Sequence, residues 1–283
     1  MRPRPSTFYR FRTYDSKRAD QLKWVREAIF ENRVRYSRTS ELNDPFEGRP
    51  LLVPINSDPV AQRRVMRDYL LQQFIDEGKS RPDAELSATL TAAISPASRG
   101  DLTPAYSIAL AKTIEENFWL YCVCGTREPI LMWSHYADGH RGVALHFDAS
   151  AAPFDAAYEV HYSETYPEFP FPISTADADD EKVRAMILTK SRGWSYEEEY
   201  RAVRGANIPS EEQRPIRERG LRWSGQVVEL PPETLTGVTI GANMPRELAE
   251  ALTAEIAERR PHLQIWNAAV SQSRYQLTFE QVH

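Results

Sequence analysis

Residues 118–124, FWLYCVC, place seven side chains in a row with no charge among them. An extended strand of that composition is apolar on both faces, so it reads as a central strand of a covered sheet. The segments around it define the kind of sheet. TFYRFR (7–12) alternates aromatic and basic residues. VRYS (34–37), RGVALHFD (141–148), YEVHY (158–162) and EEYRAVR (198–204) also carry strand signals. QVVELP, TGVTIG, LQIWNAAV and RYQLTFEQV close the chain in the same manner.

Helices fall between these strands. Ala19, Leu22, Val25, Ala28 and Ile29 keep helical spacing behind Asp15 or Ser16, either of which can cap. Further helices are predicted near 58–77, 104–117, 177–190 and 245–259. SRPD and SPASRGD act as breakers, Asn243 as a cap and Pro245 as a start for the last helix. YPEFPFP (166–172) holds three prolines and is excluded from a sheet centre. Short strands interrupted by helices in no regular βαβ rhythm predict an α+β fold, largely antiparallel, with flanking helices. Residues 1–283 are read as one domain, and 58–117 as a helical insertion or lid within it.

The 283 residues are 41% hydrophobic and 27% charged, which is globular material. No run of eighteen apolar residues occurs, so no membrane association is expected. The stretch MRPRPSTFYRFR lacks the apolar region of a secretory signal. Cys122 and Cys124 are the only cysteines and read as buried free thiols, which favours a reducing cytoplasm. The net charge of −5 argues against wholesale electrostatic binding to nucleic acid. Residues 1–40 nevertheless carry a balance of +7 and can face a phosphate-bearing ligand.

Three stretches gather chemistry. In KSRGWSYEEEYR (190–201), a strand over 196–204 would put Glu197, Glu199 and Arg201 on one face. Paired carboxylates there can hold a sugar hydroxyl or stabilise a cationic transition state. In NDPFEG (43–48), Asn43, Asp44 and Pro45 make a turn, with Phe46 packed down and Glu47 presented outward. In MWSHYADGHRG (132–142), aromatic and ionisable groups crowd beside two glycines, as in a ligand loop. No phosphate-binding loop, dinucleotide fingerprint or HExxH motif is present.

These stretches in this order, with the FYRFR opening, LNDPFE, MWSHYADGHRG and WSYEEEYR, resemble the bacterial domain of unknown function 2971. A further likeness is to the ADP-ribosyltransferase superfamily, whose split antiparallel sheet grips NAD. That likeness implies NAD as substrate, with Glu199 and Glu197 as the acidic motif and no metal. Arg10 or Tyr9 would stand on the first strand. Ser37, Ser134, His135 or Tyr136 would supply the middle contribution, although no clean Arg-Ser-Glu or His-Tyr-Glu triad is readable. Catalysis is assigned to Glu199, Glu197, Arg10 and His135. Ligand contacts are assigned to Tyr9, Ser37, Asn43, Asp44, Glu47, Trp133, Tyr136, Trp194 and Arg201. The expected activity is NAD consumption by a toxin or anti-phage effector, with a protein or nucleic-acid acceptor. Two alternatives stay open. One is a non-enzymatic sensor that binds a nucleotide or peptide. The other is a metal-dependent nuclease in which Asp44, Glu47, Glu197, Glu199 and His135 converge.

Overall fold

The structure is a computed structural model and describes residues 3–100, 102, 104–172, 180–205 and 221–283. Residues 177–179 of one expected helix and 206–220 of the polar excursion lie outside the described residues. In chain order the elements are β1 (Thr7–Arg12), α1 (Ala19–Glu31), β2 (Arg33–Arg35), β3 (Leu51–Pro54), α2 (Pro59–Asp76), α3 (Arg81–Ile94) and α4 (Pro104–Asn117). Then come β4 (Phe118–Cys124), α5 (Ile130–Tyr136), β5 (Val143–Asp148), β6 (Tyr158–Glu159), β7 (His161–Ser163) and β8 (Glu168–Phe171). The chain continues through α6 (Asp180–Leu188), β9 (Thr189–Ser191), β10 (Glu199–Gly205), β11 (Arg222–Ser224) and β12 (Val227–Glu229). It closes with β13 (Leu235–Ile240), α7 (Arg246–Arg259), β14 (Gln264–Val270) and β15 (Leu277–Gln281).

These elements form two compact units: Met1–Leu42 with Asn117–Tyr162 and Arg192–His283, and Asn43–Glu116 with Ser163–Ser191. The first holds an eight-stranded sheet in the order β15-β14-β13-β5-β1-β4-β10-β6. Every neighbouring pair is antiparallel except β13 and β14, which are parallel and joined through α7. The fold is therefore α+β with a mostly antiparallel main sheet. β4 sits between β1 and β10, and its last five residues are buried, as its composition requires. A small antiparallel sheet, β11-β12-β2, completes the unit.

The two faces of the main sheet are covered differently. On one, Phe8, Tyr121, Leu145, Phe147 and Phe154 pack with Val25, Ala28 and Ile29 of α1 and with Leu252 and Ile256 of α7. On the other, Phe11, Cys124 and Ala144 pack with Met132, Trp133 and Ala137, in and just after α5. Each large side chain so buried contributes about 1.5–3 kcal/mol. α1 and α7 are also linked by Arg26, which donates to both carboxylate oxygens of Glu255 at 2.8 and 2.6 Å.

The second unit contains α2, α3 and the parallel ribbon β3-β8. Its core is Met66, Ala92 and Ala97, with Leu70, Tyr106 and Phe171 against them. The helix at Arg81–Ile94 was not expected. SRPD, read as a breaker, starts it: Ser80 accepts a hydrogen bond from Asp83 N, and the proline lies in the first turn, where its missing N–H costs nothing. Among the described residues β8 pairs only within this ribbon, in keeping with its prolines.

Two capping expectations are corrected. Asp15 and Ser16 do not cap α1; Asp15 Oδ1 instead accepts from Lys17 N, and Arg18 occupies the cap position without a side-chain bond. Asn243 does not cap α7; its Nδ2 donates to Gly139 O at 3.1 Å, and Pro245 precedes the helix. Among the described residues, no helix is long and apolar enough to cross a membrane.

Candidate active site around Glu197

β10 begins at Glu199, not at Tyr196. Residues Arg192–Glu197 form a 3-10 turn, and Glu198 then takes a left-handed conformation with φ 44°. A non-glycine residue there is uncommon and often marks a functional turn. The reversal breaks the period-two alternation, so Glu197 is not carried on the strand face of Glu199. Gly125 N donates to Glu198 O at 2.9 Å and pins the reversal to the end of β4.

The two glutamates consequently meet different partners. Glu199 is buried and receives Arg201 Nε at 2.8 Å and a second guanidinium nitrogen at 3.2 Å. Arg201 is fully buried. Their shared face is the part of the alternation that the strand preserves. Tyr162 Oη accepts from Glu199 N at 2.9 Å. Cys122 lies beside this pair. Burial, then the Glu199 charge, pushes its thiol up to about 12, and burial does the same to Cys124. Both remain thiols at neutral pH, so neither is an activated nucleophile.

Glu197, also buried, accepts a 2.6 Å hydrogen bond from Tyr136 Oη at the end of α5. Around that bond the rings of His135 and Tyr196 are 6.4 Å apart and those of Trp194 and Tyr196 are 6.0 Å apart. His135 is exposed, whereas Trp194, Tyr196 and Tyr136 are half-buried. The loop after α5 is tightly shaped. Asp138, Gly139 and His140 are successive left-handed residues, with φ of 51°, 62° and 68°. Gly142 lies so close to β1 that a Cβ there would sit 2.1 Å from Arg12 O. Glu197, Tyr136, His135, Tyr196 and Trp194 thus form one corner built from two of the three sequence motifs.

The other predicted residues lie elsewhere. Trp133 is fully buried, donates Nε1–H to Arg127 O at 2.8 Å and meets Phe11 edge-on. It is a core plug rather than a stacking platform. Tyr9 shares a sheet face with Glu199, because Cys124 is the register partner of both. Arg10 projects to the opposite face, where its guanidinium stacks over Tyr121. Strand alternation therefore separates Arg10 from Glu199, and the Arg10–Glu199 constellation is not formed. Ser37 bridges to Leu120 beside the Arg10 face.

Asn43, Asp44 and Glu47 belong to the second unit. The NDPFEG turn has the opposite orientation to that expected. Phe46 is 55% exposed, while Glu47 is buried and lies 3.5 Å from Lys190 Nζ. Asp44 Oδ1 accepts from Phe46 N, the bond that closes the turn. Among the described residues, no group of three or more His, Cys, Asp and Glu side chains is placed to hold a metal ion.

Sequence reasoning passed over a second buried group on the Glu199 face. His146 is edge-on to Tyr9 and lies 2.7 Å from Thr239 Oγ1, which also accepts from Arg127 at 3.3 Å. Burial, then the Arg127 charge, lowers the His146 pKa to about 3, so the ring is neutral. The alternation of VALHFD placed His146 on the face opposite Leu145 and Phe147. Nothing local announced its partners on distant strands.

Residues 132–202 match the model of a family described as "Protein of unknown function (DUF2971)". The match covers about a quarter of the chain and spans both segments that meet at Tyr136–Glu197. No curated protein and no solved structure matches the chain.

Proposed function

We propose that the protein is an NAD-consuming, ADP-ribosyltransferase-like enzyme in which Glu197 is the acting carboxylate. The observation that carries this reading is the Tyr136–Glu197 hydrogen bond, which joins the aromatic loop to the acidic turn beside Trp194, Tyr196 and His135. Breaking the bond between ribose and nicotinamide builds positive charge on the ribose. A fixed carboxylate stabilises that charge more in the transition state than in the ground state. Aromatic rings beside it suit a planar base. Glu199, clamped by Arg201, supports the turn instead of reacting. The test is nicotinamide release from NAD by the purified protein, alone and with cell lysate. Release above background supports the reading, and no release under either condition removes it.

A second reading, a nucleotide- or peptide-binding sensor without turnover, is favoured by one observation. The strand glutamate that the superfamily likeness would make catalytic is held in a buried ion pair. It expects NAD binding by calorimetry with no nicotinamide release.

A further inference from the structure

On the face of the main sheet opposite Glu199, between β1, β4, β5, α1 and β2, lies a small cavity of about 30 Å³. Its wall includes Arg12, Trp24, Arg35, Ser37 and Tyr121. The polar part of this lining can donate throughout: a guanidinium fork from Arg12, another from Arg35, and two hydroxyls, which also accept.

Their bonding state is informative. Arg35 is paired with Glu41 at 2.5 Å and lies over the Trp24 ring. Arg12 and Ser37 are half-buried and Tyr121 is buried, and all three line the cavity. Arg10 nearby donates one guanidinium nitrogen to Cys122 O, while its Nε is buried without an acceptor. Burial and then the Arg10 cation lower the Arg12 guanidinium to about 9, against smaller opposing effects of Tyr121, Cys122 and Tyr136. Nearly all buried polar groups in folded proteins are satisfied, and buried charges are paired. Water in the cavity would satisfy the hydroxyls but would not supply a counter-charge to the half-buried Arg12.

We infer that this cavity is an anion site for the phosphate group of a small phosphorylated ligand. It is held by Arg12, with Ser37 and Tyr121 donating to the remaining oxygens and Arg35 at the rim. Phosphate suits the lining better than a carboxylate, because it offers more acceptor oxygens to the several donors. Strand alternation puts Arg12 and Tyr121 on the sheet face opposite Glu199. The inference rests on the cavity lining and not on the reading of Glu197.

The experiment is isothermal titration of the full chain with inorganic phosphate in one arm and adenosine monophosphate in the other. Wild type, Arg12→Gln and Tyr121→Phe are compared. Saturable binding in either arm, weakened at least tenfold by Arg12→Gln and several-fold by Tyr121→Phe, is expected. Binding in the first arm identifies free phosphate as sufficient; binding only in the second identifies a phosphorylated ligand. Tyr121→Phe removes a single hydroxyl and serves if Arg12→Gln does not fold. The inference is overturned if wild type shows no saturable heat in either arm, as a merely hydrated cavity would. It is also overturned if the Arg12 and Tyr121 variants that fold bind as wild type does.

Discussion

Tyr136 Oη lies 2.6 Å from Glu197 Oε1, and this bond ties the last residue of α5 to the turn that precedes β10. The two residues are 61 apart in sequence, so the contact is tertiary. Removing the hydroxyl leaves a buried carboxylate oxygen without that donor. Tyr136→Phe is expected to lower stability by about 1–3 kcal/mol, the cost of a lost bond to a charged group. Urea denaturation measures it. A change below a few tenths would mean that the bond does not contribute to the folded state.

Glu199 and Arg201 form the stronger structural pair. Arg201 is fully buried, and both of its bonds to Glu199 run through a bidentate contact. Glu199→Gln withdraws the charge opposite that guanidinium and is expected to destabilise by about 3 kcal/mol or more. Glu197→Gln should cost less, because it keeps an acceptor for Tyr136. Denaturant midpoints of the two variants, measured side by side, check the ranking.

The α+β class, the apolar centre of β4 and the limits of β1 were readable because periodicity and composition act locally. So was the shared face of Glu199 and Arg201, two positions apart on one strand. The place of Glu197 was not readable. It depends on Glu198 adopting φ 44°, and three consecutive glutamates give no warning of a left-handed residue. Helix α3 is not readable from SRPD, because Pro82 suggests a stop whereas Ser80 makes it a start. Phe46 and Glu47 exchanged their expected orientations because Lys190, far along the chain, offers Glu47 a buried partner.

Stability should depend on pH through His146. Its folded pKa, about 3, lies below the ordinary value of 6.5, so the unfolded chain takes up a proton that the folded chain refuses. The stabilisation is complete above pH 6.5 and declines as pH falls toward 3, by about 1.4 kcal/mol per unit. His146→Gln is expected to flatten this part of the curve. Melting temperatures of both proteins between pH 7 and pH 4.5 measure the slope, and parallel curves would contradict the assignment.

Gly142 has no room for a side chain against β1, since its Cβ would meet the backbone oxygen of Arg12 at 2.1 Å. Gly142→Ala must displace the loop after α5 or the strand itself. A loss of about 2 kcal/mol or more is expected. Thermal unfolding checks it, and an unchanged midpoint would show that the loop can yield.

The most direct measurement compares nicotinamide release from NAD by wild type, Glu197→Gln and Tyr136→Phe, each normalised to its folded fraction. The expected result is turnover by wild type, a loss of about a hundredfold or more in Glu197→Gln, and a smaller loss in Tyr136→Phe. Wild-type turnover that persists in folded Glu197→Gln would contradict the role given to Glu197. Absence of turnover in wild type would contradict the enzyme itself.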